Sequence, residues 1–344
     1  MMMNRKKFLK VSASGAASVA AIPFWMQACS PTGESSNNVG THDLFFDISL
    51  AQWSLHKGFF GPLLELGWEE MTNQMQNNTN ALADGLNPMD FASIARNEFG
   101  IDAVEYVTIF YPNTKGADDA HIKELNKRSK DEGVRNVLLM VDREGALGDP
   151  DEVARLQAVE NHYKWVDIAS LMGCHSIRVN AESSGSWDDQ KEMAMDGLGR
   201  LSEYAASQKI NIIVENHGGL SSNGEWLSSV IAGVGMDNCG TLPDFGNFRV
   251  SPYGAEEEVL YDPYKGIEEL MPYAKGVSAK SYNFDDQGNE TALDYELILK
   301  IVKDAGYTGY IGVEYEGTRL SEPEGIRATV DLLKRAGKVV TEAA

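Results

Sequence analysis

Cysteine is scarce in this 344-residue chain. There are three, Cys29, Cys174 and Cys239, with no CxxC pair and no Cys/His cluster. That excludes a structural zinc ribbon and a disulfide-stapled scaffold. Cys174 ("LMGCHSIRVN") and Cys239 ("MDNCGTLPDF") each precede an apparent strand in a different unit, so two buried free thiols are expected. Positive charge is also short: 30 Lys and Arg face 51 Asp and Glu, a formal net of −21. A chain this acidic repels phosphate backbones and anionic lipid, which argues against nucleic acid as a partner. Core-forming material is plentiful, with 6 Trp, 13 Tyr and 12 Phe, so a packed globular domain is expected.

The first residues follow a different pattern. "NRKKFLK" (residues 4–10) is basic, "VSASGAASVAAIPFW" is mildly apolar and rich in small residues, and "MQAC" ends at Cys29. A basic stretch followed by a short apolar one reads as an export signal over residues 1–28, too short to span a membrane, which takes roughly 20 apolar residues. It resembles a twin-arginine signal with Lys6 in place of the second arginine. "MQAC" resembles a lipobox, which would make Cys29 a lipidated first residue; a soluble signal cleaved nearby is the alternative. The expected location is the periplasm or the cell envelope, with the membrane met only through that lipid. Residues 29–43 read as a linker. Without residues 1–28 the balance is 26 against 51, a net of −25.

From residue 44 to about 340, short apolar runs alternate with longer segments of helical period. The runs are "FFDISLAQW" (45–53), "DAVEYV" (102–107), "NVLLMV" (136–141), "SIRVN" (176–180), "NIIVE" (211–215), "GTLPD" (240–244), "GVSAK" (276–280) and "YIGVEY" (310–315). Near-continuous apolar runs suit strands buried on both faces, as in parallel sheets. Eight strand–helix units predict an α/β fold, a single (β/α)8 barrel. A doubly wound open sheet is the alternative, but no GxGxxG follows the first strand. One βα connection carries an insertion around residues 58–86, read as a partial lid or as a solvated surface helix.

In such barrels chemistry sits where the strands finish. Glu215 ends the fifth run and Asp244 the sixth, the end of the eighth presents Glu314 and Glu316, and Ser278 and Lys280 stand on the seventh. Three carboxylates held together repel unless a proton or a cation intervenes. A divalent ion such as Mn²⁺ or Mg²⁺ suits oxygen ligands, and His217, two residues beyond Glu215, is expected on the same face. Helix capping by each carboxylate separately is the plainer alternative.

The motifs "QWSLH", "GIDAVEYV", "IIVENHGG", "LPDFGNF", "PYAKGVSAKSYNFD" and "GYIGVEYEG" resemble the xylose isomerase-like TIM barrels, the group of sugar phosphate isomerases and epimerases. The resemblance covers "ISLAQWSLH" through "GIRATVDLLKR". It implies one divalent cation held by Glu215, Asp244 and Glu314. The histidine that members carry on the seventh strand is Ser278 here, and the one that often follows the sixth-strand Asp is Asn247. His217 is then the expected replacement ligand; Lys280 supplying positive charge instead of a metal is the other reading. The resemblance further implies proton abstraction beside a carbonyl, with Glu215 and Glu314 as the acid–base pair. Lys280 would stabilise developing negative charge. Trp53, His56, Glu105, Arg178, Asn180 and Asn247 are the expected substrate contacts. An exported, strongly acidic protein with no phosphate-cradling loop suits a non-phosphorylated sugar or keto-glycoside. Isomerase or epimerase is therefore expected, with a lyase or hydratase of 3-keto-glycosides and a non-catalytic envelope sugar-binding protein as alternatives.

Overall fold

The structure is a computed structural model that describes residues 44–78, 81–252 and 254–343. The expected export signal, Cys29 and the linker lie outside these residues. The strands are β1 (Asp47–Ala51), β2 (Ala103–Val107), β3 (Arg135–Met140), β4 (Ser176–Val179), β5 (Asn211–Glu215), β6 (Cys239–Leu242), β7 (Val277–Ser281) and β8 (Tyr310–Tyr315). The helices are α1 (His56–Phe60), α2 (Trp68–Asn77), α3 (Phe91–Phe99), α4 (Ala120–Asp131) and α5 (Glu152–Met172), then α6 (Trp187–Ala206), α7 (Gly224–Val234), α8 (Pro263–Leu270), α9 (Tyr295–Asp304) and α10 (Glu322–Glu342).

The strands run parallel in the order β6-β5-β4-β3-β2-β1-β8-β7. Every residue of β2, β4, β6 and β7 is buried, because helices cover the outside and side chains fill the inside. Closure comes at the β6/β7 seam, through parallel bridges Thr241–Ala274 and Asp244–Ser278. Backbone bonds reinforce it: Lys275 N to Thr241 O at 3.0 Å, Ser278 N to Pro243 O at 2.9 Å and Phe245 N to Ser278 O at 3.0 Å. The eightfold α/β barrel expected from the alternating runs is thus the fold. Cys174 and Cys239 are free and buried.

Local sequence marks the helix ends. Ser186–Asp189 and Ser321–Glu324 form capping boxes at the starts of α6 and α10, and Gly173 closes α5 in the left-handed conformation. The insertion between β1 and α3 holds α1, a 3₁₀ turn (Gly61–Leu66) and α2. Glu322, at the start of α10, accepts the backbone N–H groups of Lys57 (2.7 Å) and Gly58 (2.9 Å). That ties the insertion to the last unit, at the end of the barrel where the strands finish. No helix among the described residues is long and apolar enough to cross a membrane.

Candidate active site

The inner end of the barrel is charged. Lys280 and Glu314 are register partners on adjacent strands, so their side chains emerge side by side. Lys280 Nζ lies 2.6 Å from Glu314 Oε1, 3.3 Å from Glu316 Oε2 and 3.8 Å from Asp244 Oδ2. The seam bridge sets Ser278 beside Asp244, and Ser278 Oγ sits 2.7 Å from Asp244 Oδ2 and 3.2 Å from Glu314 Oε2. One hydroxyl carries one proton. It goes mainly to the nearer Asp244 oxygen, with Glu314 as the weaker acceptor of a shared, three-centre contact. Asp244 is fixed by its own loop: Oδ1 accepts from Gly246 N (2.8 Å) and Asn247 N (2.9 Å). On the β5 side, Asn247 Nδ2 donates to Glu215 Oε1 at 3.1 Å. Arg178 Nε stands 2.8 Å from Glu215 Oε2, but its N–H is not directed at that oxygen.

Burial dominates the protonation of this cluster. It pushes Asp244 up to about 8, with Lys280 opposing and Glu215 and Glu314 adding to the rise. Burial likewise raises Glu314, with Lys280 opposing and Glu215 and Glu316 adding to the rise. Burial alone would lower Lys280, but Glu314, Asp244, Glu316 and Glu215 together outweigh it and hold the ammonium well above its usual range. The acids therefore bear the electrostatic penalty and the lysine stays charged. Burial also works against Glu316, yet Lys280 and the Trp53 indole, which donates to it, hold it below the usual carboxylate range.

Glu215, Asp244 and Glu314 each offer an oxygen, and these lie within 4.8 Å of one another. Glu215 Oε2 is buried without a hydrogen-bond donor. The Arg178 guanidinium stands 2.8 Å from this oxygen as an ion-pair partner without a directed N–H, and a carboxylate oxygen still free to accept in a buried triad fits a hard divalent cation with all-oxygen ligands. The residues present therefore suit such an ion without an imidazole.

The sequence pattern of the family described as xylose isomerase-like TIM barrel matches residues 94–336. The chain belongs to this family. A segment of 48 residues is 44% identical to the 3'-dehydrocarminate deglycosidase alpha subunit of Microbacterium sp., spanning 14% of this chain and 14% of that relative's own length. Among solved structures, a 3-keto-D-glucoside 4-epimerase of E. coli superposes with a TM-score of 0.58 at 17% identity, covering 73% of this chain and 95% of that one. A xylose isomerase-like TIM barrel protein of Mycobacterium smegmatis, in complex with magnesium, gives 0.56 at 15% identity, covering 87% and 97%.

Within this xylose isomerase-like barrel, the residues singled out by sequence are not all brought together. Glu215, Asp244, Glu314, Lys280, Arg178 and Asn247 converge. His217 does not join the triad: it is exposed beyond the end of β5. The reason is Asn216, which is buried and staples β5 to the β6 loop. Asn216 Oδ1 accepts Asp244 N at 2.7 Å, and its Nδ2 donates to Asp244 O (3.0 Å) and Asn247 O (3.1 Å). The two-residue strand alternation thus ends at Glu215, and the chain turns His217 outward. Glu105 is sealed inside the barrel at 1% exposure rather than presented to solvent. Ser49 Oγ donates to its Oε1 at 2.6 Å, and a Cβ at Gly312 would come within 2.6 Å of Oε2. Burial pushes Glu105 up to about 8. Trp53 and His56 stack at 4.8 Å beside Glu316, and the His56 ring nitrogen Nδ1 lies 2.7 Å from Trp53 O.

Asn180 donates to Asp142 at 3.2 Å, and Arg178 Nη1 lies 2.7 Å from the same oxygen. Asp142 is not among the residues singled out by sequence, although it stands one residue past "NVLLMV" just as a strand-end carboxylate should. Burial opposes its ionisation, but Arg178 and then His217 outweigh that and lower its pKa.

Proposed function

We propose that this protein is a carbohydrate isomerase or epimerase that moves a proton on carbon next to the carbonyl of a non-phosphorylated keto sugar. The observation that carries the reading is the buried pairing of Glu215 and Glu314 with two cations, Arg178 and Lys280, at the end of a barrel where the strands finish. Glu215, on β5, takes the proton. The Lys280 ammonium, 2.6 Å from Glu314, is placed to hold the negative charge that develops on the carbonyl oxygen. Glu314, already bridged by Lys280 and Ser278, returns a proton to the same carbon from the other face, or to the former carbonyl carbon while the neighbouring hydroxyl's proton passes to the former carbonyl oxygen. The first outcome is epimerisation and the second isomerisation; a leaving group beyond the carbanion would instead give elimination.

Glu215, Asp244 and Glu314 would hold one divalent ion, Mg²⁺ or Mn²⁺. When bound, such an ion polarises the substrate carbonyl. The M. smegmatis neighbour is a complex with magnesium, which supports this assignment. Export to the periplasm or envelope, expected from residues 1–28, supports a free sugar over a sugar phosphate. Both the E. coli neighbour and the Microbacterium relative are named for 3-keto (3'-dehydro) sugars, which supports a 3-keto-glycoside and keeps elimination as the second reading. Incubating the protein with Mg²⁺ and a 3-keto-glucoside in D₂O and following the sugar by NMR tests the proposal. Deuterium entering beside the carbonyl with a new epimer supports it, and release of aglycone selects elimination. Neither exchange nor release for a series of keto sugars contradicts both.

A further inference from the structure

Beside the carboxylate cluster lies a cavity of about 250 Å³ between the ends of β2 and β3 and helix α2 of the insertion. It is smaller than the roughly 300–1,000 Å³ that holds a whole drug-sized ligand, and it is suited to one ring. Met75, Ile109 and Pro112 give it apolar wall, and Asp142 and Arg143 give it polar groups. The cavity is one guanidinium away from the catalytic base. Arg178 reaches Glu215 Oε2 with Nε at 2.8 Å and Asp142 Oδ1 with Nη1 at 2.7 Å.

Two further observations mark this cavity as built for a ligand. Among the described residues only three non-glycine positions have left-handed φ, and two of them, Asn113 (66°) and Arg143 (67°), line this cavity. Such backbone is sparsely populated by side-chain-bearing residues and concentrates at functional sites. Two of its polar groups are also unspent, although Glu144 and Lys164 in the same lining are paired with each other at 2.9 Å. Arg143 is exposed, with no hydrogen bond or ion pair from its guanidinium among the described residues. Asp142 Oδ2 is likewise free, since only Oδ1 is engaged by Arg178 and Asn180. An unpaired arginine stands out on a chain with 51 acidic against 30 basic residues.

We infer that this cavity is a second-ring subsite: it binds the hydroxylated ring, sugar or aryl, attached to the keto sugar that reacts over Glu215. Asp142 Oδ2 accepts a hydroxyl of that ring, Arg143 donates to its oxygens, and Met75, Ile109 and Pro112 pack on its face. The substrate class is therefore a keto-glycoside rather than a free keto-monosaccharide. The inference rests on the proposed proton-transfer function and adds where the rest of the substrate goes.

The test compares 4-hydroxyphenyl 3-keto-β-glucoside with free 3-keto-glucose, reading kcat/KM for deuterium exchange beside the carbonyl. The native protein is expected to favour the glycoside at least tenfold. Pro112→Trp, which fills the cavity, and Arg143→Gly, which removes the cation and suits the left-handed backbone, are each expected to reduce that ratio at least fivefold, mainly through KM for the glycoside. Two positions are used so that one poorly folded variant leaves the other to decide. Equal native rates on both sugars, or a ratio unchanged in a folded variant, would overturn the subsite while leaving the proton-transfer function in place. Exchange with neither sugar would remove that function and the subsite with it.

Discussion

Replacing Glu105 with glutamine should change the pH dependence of stability more than stability itself. Glu105 is 1% exposed, its Oε1 accepts from Ser49, and its Oε2 has no donor. Burial raises its pKa from 4.5 to about 8. Between those values the folded protein holds a proton that the unfolded chain has released, so stability falls as pH rises and then levels off above about 8. At about 1.36 kcal/mol per pKa unit, the full fall approaches about 5 kcal/mol, a ceiling that local relaxation would reduce. Glutamine matches the shape of the neutral acid and carries no titration. Denaturant unfolding of both proteins near pH 5 and near pH 9 measures the difference. The two should be within about 1 kcal/mol of each other at the acid end, with the variant more stable by several kcal/mol at the alkaline end. If the two stability curves run parallel across this range, Glu105 is not held neutral in the barrel and the electrostatic reading of its interior fails.

Other perturbations address the site directly. Lys280→Met leaves Glu314, Glu316 and Asp244 without their buried cation; it should cost about 3–5 kcal/mol in denaturant unfolding and about 10²–10³ in kcat. Calorimetric titration with Mn²⁺ should find one ion per chain. An ion at about a hundredfold excess over its Kd would add about 2.7 kcal/mol to unfolding stability. Asp244→Asn should abolish this binding, whereas His217→Ala should leave its affinity unchanged within about twofold, because His217 is exposed outside the triad.

The triad is legible in the sequence because parallel strands end abruptly and their last residue points where chemistry happens. Glu215 and Asp244 each close an apolar run and Glu314 stands one residue from the end of another, so spacing alone places them together. His217 departs from its expected place because the alternation rule holds only inside a strand. One residue past the end of β5, the Asn216 staple to Asp244 and Asn247 takes over. Glu105 lies within a strand and does face inward, but Ser49 and Gly312 enclose it, and no local pattern shows a lid made of two other strands. The role of Ser278 depends on the β6/β7 seam, a contact between segments that share no continuous ladder. Asp142 carries the same signal as Glu215, a carboxylate just past an apolar run, but it falls outside the family motifs that draw attention to the other strand ends.

The central claim is that Glu215 removes a proton from carbon in this cluster. Glu215→Gln keeps the side-chain shape and one oxygen for Asn247 while removing the base. Deuterium exchange beside the carbonyl of a 3-keto-glucoside, measured by NMR on the native protein and on this variant, is therefore the most direct measurement. The account predicts exchange by the native protein and a loss of at least about a thousandfold in the variant. Exchange at the native rate in a folded Glu215→Gln protein would contradict it.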